Sequence, residues 1–272
     1  MTYFAPDTLD DALAHLDTTA MSIVAGGTDF FPAMGTAPQA MLDVSRIKDL
    51  RGISQDDAGW RIGAATTWTD VINADLPAAF DGLKQGASKV GSLQIQNTGT
   101  LAGNLVNASP AADGVPPLLT LEAQVEVASV RGTRVLPLPE FITGVRQTAL
   151  QAGEMVTAIL IPSQPAHARA AFSKLGSRKY LVISTAMVAA VIGRDAQGRI
   201  NHACVAVGAC SPVAQRLPAL ESDLIRTTPE CIQINAAHLT PLAPISDVRG
   251  SGEYRLDAVA ELIRRTIAGA SA

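Results

Sequence analysis

The spacing of apolar residues predicts one helix and two short strands in the first fifty residues. Over residues 7–17 apolar positions recur at helical spacing, and Thr8 with Asp11 three residues later is the pattern of a capped helix N-terminus. Short apolar runs at 22–25 and 41–44 predict strands, and a pair of glycines follows the first run. We therefore expect a strand–glycine turn–strand unit after the first helix.

A second, longer block of predicted elements begins at residue 60. Thr67 or Thr69 favours the start of a helix, and Pro116 is tolerated in the first turn of another helix. The segment 91–114 consists of small and polar residues, but its composition is not that of a linker, and we expect it to be ordered. The other predicted elements are strands at 60–63, 124–129, 134–138 and 155–161 and a helix at about 77–89.

The segment 162–165 is the best candidate for a domain boundary, because it holds two prolines in four residues with polar spacers. Beyond it, the predicted strands lie at 169–174, 186–193 and 200–208. Apolar positions at helical spacing over 256–267 predict a C-terminal helix. We therefore expect domains over 1–164 and 165–272 in an α+β fold, the second with a three-stranded sheet and helices.

The composition excludes several classes of protein. Of the 272 residues, 47% are hydrophobic and 17% are charged, against about 25% charged in an ordinary globular protein, so the chain is not disordered. A net charge of −4 provides no basic face for nucleic acid. The N-terminus lacks a signal-peptide pattern, and the run 180–193 is shorter than the ~20 residues that span a bilayer. We predict a soluble cytoplasmic protein whose low charge favours coverage by a partner.

The sequence lacks the Rossmann, P-loop, zinc-protease and nucleophile-elbow motifs. Cys204, Cys210 and Cys231 form no CxxC pair, so we interpret them as buried thiols in a reducing compartment. The four histidines are scattered and give no metal-binding or serine–histidine–aspartate pattern. No catalytic or metal-binding residue is predicted.

Two glycine clusters carry the main chemical signal. The first is the run Val24, Ala25, Gly26, Gly27, Thr28, Asp29 and Phe30. Paired glycines allow successive N–H groups to point one way and let the backbone approach an anion, and Thr28 adds a hydroxyl donor. On this cluster alone, a tight strand-to-helix turn capped by Asp29 is an equally open interpretation.

The second glycine cluster occupies residues 97–104 and includes Thr100, Ala102, Gly103 and Asn104. Alone it is typical of a polar loop, because such residues commonly form turns. Two such clusters together favour a diphosphate that backbone donors hold from both sides without lysines. Asp113 would then be free to accept a hydrogen bond from a ribose or ribityl hydroxyl.

A basic stretch at the end of the predicted strand 169–174 is a third feature. It runs from Lys174 to Tyr180 and is typical of a solvated loop. If the domains close around a cofactor, Lys174 would meet the electron-rich end of an aromatic ring system such as an isoalloxazine.

Four motifs in this order resemble the FAD-binding subunit of the molybdenum hydroxylases, a family with xanthine dehydrogenase-like and carbon monoxide dehydrogenase-like members. The motifs are residues 24–29, 97–104 with 108–113, Phe172-x-Lys174, and 247–251 with 253–255. The resemblance extends over essentially the whole chain. It implies two N-terminal subdomains of the vanillyl-alcohol-oxidase type, about 1–56 and 57–164, that grip FAD between them, and a C-terminal α+β domain over the flavin.

The resemblance implies a role for each matched residue. Residues 25–29 and 100–104 would hold the FAD pyrophosphate, Asp113 a sugar or ribityl hydroxyl, and Lys174 the isoalloxazine edge. Molybdopterin and [2Fe–2S] clusters would lie on a large and a small partner subunit, in a dimer of heterotrimers. Arg249 would brace the C-terminal domain, as would Tyr254.

Three positions differ from the family pattern. Ala102 stands where glycine is common, so we expect a slight displacement of one N–H contact. Covalent relatives carry a histidine beside the first glycine cluster, where this chain has Thr28 and Asp29, so we predict non-covalent, dissociable FAD. The aromatic neighbour of the flavin is Tyr180, unless a shift of two residues places Val182 there.

The function implied is electron transfer from partner iron–sulfur clusters through FAD to an external acceptor. Two other functions stay open. A self-sufficient flavin oxidase of the vanillyl-alcohol-oxidase type would need a clustered set of histidine, tyrosine and arginine. A non-catalytic scaffold subunit would use its glycine clusters only as turns.

Overall fold

The computed structural model describes residues 2–35, 40–229 and 232–272, and its first element group is a small parallel sheet. The sheet has the order β1-β3-β2, with β1 at Tyr3–Phe4, β2 at Ser22–Val24 and β3 at Met41–Asp43. Helix α1 (Leu9–Thr18) begins where Thr8 accepts a hydrogen bond from the Asp11 N–H, as predicted. The short helix α2 (Phe30–Ala33) follows the first glycine cluster, so the predicted strand–turn–strand unit exists with parallel strands.

A five-stranded antiparallel sheet forms the second layer. Its strands are β4 (Ile53–Asp56), β5 (Gly59–Gly63), β6 (Gln124–Ser129), β7 (Gly132–Pro137) and β10 (Met155–Pro162), in the order β4-β5-β10-β6-β7. A two-stranded ribbon, β8 (Ile142–Gly144) with β9 (Gln147–Thr148), lies between β7 and β10 in the chain. Because β4 pairs with β5, this sheet begins at Ile53, a few residues before the subdomain boundary that we expect at about 56.

Short helices lie between β5 and β6 and between β7 and β8. They are α3 (Trp68–Asn73), α4 (Asp81–Ala87), α5 (Leu93–Thr98), α6 (Leu101–Val106), α7 (Val115–Thr120) and α8 (Leu138–Phe141). The helix predicted at 77–89 is shorter, because a 3-10 turn at Ala78–Phe80 precedes α4. The polar segment 91–114 contains two helices because Ser92 and Thr100 each cap an N-terminus with the side-chain oxygen.

The C-terminal part is an antiparallel sheet covered by helices. The three predicted strands are β11 (Arg169–Leu175), β12 (Ala186–Arg194) and β13 (Ile200–Gly208), and a two-residue strand, β14 (Gln215–Arg216), adds a fourth. Two residues are too few to leave a periodic pattern, which is why the sequence did not predict β14. Helices α9 (Pro218–Leu224) and α10 (Gly252–Ala270) pack against this sheet.

One apolar core joins the second sheet to the C-terminal sheet. Leu118 and Ile159 belong to the same buried cluster as Val191 and Ala206. Helix α4 approaches β11 closely at Gly82, where a Cβ would lie 3.2 Å from the Ala171 carbonyl oxygen. The segments on the two sides of the predicted boundary at 164/165 therefore pack against each other.

Two of the three cysteines are free and buried, as predicted. Burial raises the pKa of Cys204 and of Cys210 to about 11. The third, Cys231, lies outside the described residues. Within the described ranges, no helix combines the length and apolar character needed to cross a membrane.

Candidate functional site

The two glycine clusters are in direct contact. A Cβ placed on Gly26 would lie 1.9 Å from the carbonyl oxygen of Thr98, the last residue of α5. A Cβ on Gly99 would lie 3.4 Å from the Thr28 hydroxyl oxygen. Because no real Cβ approaches a backbone oxygen so closely, only glycine at position 26 permits this arrangement. The stretches expected to act together are therefore neighbours in space.

The first cluster presents a run of unused backbone donors. Strand β2 ends at Val24 and α2 begins at Phe30, so the N–H groups between them take part in neither element. In the part of the chain that the structure describes, the N–H groups of residues 25–29 donate to no protein acceptor. Gly27 has a φ of +65°, the left-handed conformation that turns successive N–H groups toward one side. This concave backbone is suited to an anion.

The second cluster adds donors from the start of α6. The Gly103 N–H bonds the Thr100 hydroxyl oxygen at 3.1 Å, and the Leu101 N–H bonds the Thr66 carbonyl oxygen at 3.0 Å. The N–H groups of Thr100 and Ala102 donate to no acceptor among the described residues. The Ala102 methyl group is buried in the apolar core, and the side chain of Asn104 accepts a bond from the Gly114 N–H at 3.3 Å.

Phe31 contacts the first cluster but was not among the predicted site residues. A Cβ on Gly27 would lie 2.5 Å from the Phe31 ring, which therefore rests directly on that glycine. Phe30, the predicted residue, contacts the Phe31 ring edge-to-face at a centroid distance of 5.3 Å. Val24 is buried beneath the turn.

A polar tether holds the first cluster to the end of α6. The Asn107 side-chain amide donates to an Asp29 carboxylate oxygen at 3.0 Å. Arg146, on the turn between β8 and β9, in turn donates to the carbonyl oxygen of Asn107 at 3.0 Å and to its side-chain oxygen. Neither Asn107 nor Arg146 was predicted, because the bond to Asp29 spans 78 positions of sequence.

We expect Asn107→Ala to weaken FAD binding about tenfold, because it removes one charge-assisted bond that orders Asp29 and the unused N–H groups beside it. Flavin titration of the purified protein measures the effect. The control is Asn73→Ala, since Asn73 is exposed and makes no side-chain hydrogen bond within the described ranges. Equal affinity in both variants would contradict a role for the tether.

Asp113 and Lys174 form a buried ion pair. The Lys174 ammonium lies 2.6 Å from one Asp113 carboxylate oxygen, and each side chain is 9% exposed. The Ser184 hydroxyl donates to the other carboxylate oxygen at 2.9 Å. Burial raises the pKa of Asp113, while the Lys174 charge opposes that rise.

This pairing uses part of the hydrogen-bonding capacity of Asp113. Each carboxylate oxygen already accepts one bond and keeps one further lone pair, so a bond from a ribose or ribityl hydroxyl stays a prediction. Ser184 was missed because it is 71 positions from Asp113 and belongs to no motif.

Tyr180 lies in the exposed loop between β11 and β12. Its side chain is 64% exposed, and the Lys179 ammonium lies 5.1 Å from its ring centroid. Val182, the alternative neighbour of a flavin, folds back onto the loop, where a Cβ on Gly176 would lie 2.6 Å from it. Of the two, Tyr180 is the side chain available to a ligand.

Among the residues at 2–35, 40–229 and 232–272, no group of three or more His, Cys, Asp or Glu side chains could hold a metal ion. Two surface cavities of about 320 and 360 Å³ lie in the C-terminal part, and their lining includes none of the predicted site residues.

Comparison with known protein families identifies the chain as an FAD-binding protein. Residues 1–164 match the family model described as the FAD binding domain in molybdopterin dehydrogenase, and residues 170–270 match the CO dehydrogenase flavoprotein C-terminal domain. The chain belongs to this family of FAD-binding subunits of molybdenum hydroxylases. The family, the α+β class and the oxidoreductase assignment predicted from the sequence are confirmed.

Individual relatives agree with this assignment. The chain is 37% identical to the nicotinate dehydrogenase FAD-subunit of Eubacterium barkeri, over 79% of this chain and 72% of that protein. It is 32% identical to the nicotine 6-hydroxylase medium subunit of Paenarthrobacter nicotinovorans, over 99% and 97%. Carbon monoxide dehydrogenase from Oligotropha carboxidovorans contains a chain of the same fold, with a TM-score of 0.90, 27% identity and coverage of 100% and 97%.

Proposed function

We propose that this chain is the electron-transferring FAD subunit of a cytoplasmic complex in which a small iron–sulfur subunit and a large molybdopterin subunit are separate polypeptides, arranged as a dimer of heterotrimers. The names of the relatives, an FAD-subunit and a medium subunit, support a multi-subunit assembly. The chain has three cysteines, whereas a [2Fe–2S] cluster held by cysteines alone takes four. The clusters are therefore assigned to a partner.

The contact between the glycine clusters is the observation that carries the proposal. We assign the N–H groups of residues 25–29, with those of Thr100 and Ala102, to the FAD diphosphate. Backbone dipoles can neutralise a phosphate without a lysine, which fits a cradle in which residues 25–28 are small and uncharged. The Asn107 amide holds Asp29 through its carboxylate and so limits its repulsion of the phosphates.

The Asp113–Lys174 ion pair provides the charged groups at the end of the site that we assign to the flavin ring. The Lys174 ammonium is assigned to the isoalloxazine edge, where a cation stabilises added negative charge. Asp113 orients that ammonium and keeps one lone pair on each oxygen for a hydroxyl of the cofactor. When bound, FAD supplies reversible two-electron chemistry, which would connect the one-electron clusters of the partner to an external acceptor. Tyr180 is assigned to the flavin face.

We expect the purified protein to contain FAD in a near-equimolar ratio, and acid precipitation to release the flavin into the supernatant. Release is expected because Thr28 and Asp29 stand where covalent relatives carry a histidine, and neither forms a stable flavin bond. Absorbance spectra of the supernatant and pellet measure both results.

The alternatives are distinguished by that experiment together with an activity assay of the isolated chain. Colourless protein with native circular dichroism would contradict FAD binding and favour a scaffold. Flavin in the pellet would contradict non-covalent binding. Substrate oxidation by the isolated chain would contradict the electron-transfer role and favour a self-sufficient oxidase.

A further inference from the structure

Arg255 is a buried arginine at the start of α10 that the proposed function does not use. Its side chain is 3% exposed, and its guanidinium donates to the carbonyl oxygens of Thr185 at 2.5 Å and Ala209 at 2.9 Å. A third bond, at 2.7 Å, joins it to a carboxylate oxygen of Asp247. Arg255 therefore bridges three segments that are far apart in sequence.

The first bridge leads directly to the ion pair. Thr185 follows Ser184, whose hydroxyl donates to Asp113 at 2.9 Å. The Thr185 carbonyl belongs to the planar peptide that joins Thr185 to Ala186, so the bond from Arg255 anchors the backbone one residue after Ser184. Ser184 can then hold Asp113 in one orientation.

The second bridge leads to the same carboxylate by another route. Ala209 comes directly after β13 and has a φ of +62°, a conformation that a non-glycine residue adopts only when its surroundings hold it. Its N–H donates to the carbonyl oxygen of Pro110 at 2.9 Å, three residues before Asp113. The guanidinium thus restrains both segments that position Asp113.

Asp247 orients the guanidinium itself. Asp247 and Gly250 exchange two backbone hydrogen bonds of 3.1 Å, which close a tight turn before α10. Arg249 binds the second carboxylate oxygen of Asp247 at 2.7 Å but makes no hydrogen bond to the Thr185 or Ala209 carbonyl in the described structure. Arg249 therefore binds the same carboxylate as Arg255 but does not bind the two backbone carbonyls.

We propose that Arg255 is a positioning residue for the FAD site: through the Thr185 and Ala209 carbonyls it fixes Ser184 and the segment 110–113, and so aims the Asp113-bound ammonium of Lys174 at the flavin. The inference rests on the proposed function, because that function assigns the Asp113–Lys174 ion pair to the flavin. It also gives a purpose to the 247–255 motif, which lies outside both glycine clusters.

The test is a double-mutant cycle on FAD affinity in the purified full chain. Arg255→Lys keeps the charge but cannot bridge two carbonyls and a carboxylate with one planar group, and Ser184→Ala removes only the hydroxyl. Each is expected to weaken FAD binding about tenfold. Because Arg255 acts partly through Ser184, the losses are expected to be less than additive, and the double variant is expected to lose well under a hundredfold.

Two further measurements distinguish positioning from a purely structural role. The flavin reduction potential is expected to shift in the same direction in Arg255→Lys, Ser184→Ala and Lys174→Met. Arg249→Lys, the matched control, is expected to keep wild-type affinity and potential. If Arg255→Lys does not fold, Asp247→Asn takes its place in the cycle, since it removes the anchoring charge with little change in volume.

The possible results are separable. Additive losses of about a hundredfold in the double variant, or wild-type potential in Arg255→Lys, would overturn the positioning role while FAD binding by the wild-type chain stands. A wild-type chain that binds no FAD would instead refute the proposed function.

Discussion

Gly26→Ala is expected to reduce FAD affinity by about 10- to 100-fold, because overpacking of this kind costs about 1–3 kcal/mol. The new Cβ would lie 1.9 Å from the Thr98 carbonyl oxygen, which is backbone and cannot rotate away. To relieve the overlap, the two glycine clusters must separate, and their N–H groups would no longer converge on one diphosphate. Flavin titration and the flavin content of the purified variant measure the loss.

Gly35→Ala is the matched control for this prediction. A Cβ on Gly35 meets nothing within 4 Å in the described structure, and its φ is not in the left-handed region. We expect it to keep wild-type flavin content. Gly27→Val should also expel FAD, since valine is strained at a φ of +65° and its Cβ would lie 2.5 Å from the Phe31 ring. Full flavin in Gly26→Ala and Gly27→Val would contradict the assignment of the diphosphate site.

Lys174→Met is expected to destabilise the protein by about 3–5 kcal/mol, because it leaves the buried Asp113 carboxylate without a counter-charge. Chemical unfolding of the apoprotein measures this loss. Where FAD still binds, the reduction potential is expected to fall, since the added negative charge of the reduced ring loses a neighbouring cation. Lys48→Met, at an exposed lysine, is the control for a change of charge alone.

The pH dependence gives a second measurement on the same variant. Burial already raises the pKa of Asp113, and without Lys174 it should rise further. A carboxyl with a raised folded-state pKa binds more protons when folded than unfolded. The free energy of unfolding of Lys174→Met should therefore fall as pH rises from about 4 through the raised pKa. In Asp113→Asn/Lys174→Met that slope should disappear, and its persistence would contradict the ion-pair explanation.

The fold was predictable where one residue pattern runs over many positions. The strands 169–174, 186–193 and 200–208 and the C-terminal helix appear within a few residues of their expected bounds, since long apolar periods leave a clear signal. Short elements were missed. Strand β14 has two residues, and α5 and α6 depend on the caps Ser92 and Thr100 more than on an apolar face.

The site was predictable from the sequence only as far as local motifs extend. Glycines mark both clusters because close backbone approach has a residue-type requirement. The partners Ser184, Asn107 and Arg255 carry no such requirement, since many polar side chains can donate a hydrogen bond. Their identity depends on which distant segments meet, and only the three-dimensional fold supplies that information.

The apolar core shared by the two halves limits what can be transplanted between relatives. Leu118 and Ile159 pack in the same cluster as Val191 and Ala206, and α7 lies against β12 and β13. A chimera that takes only residues 165–272 from a relative would place the side chains of that relative against native ones in a close-packed core. A working chimera would have to exchange the buried face of α7 together with the C-terminal sheet, so the exchanged segment must extend beyond residues 165–272.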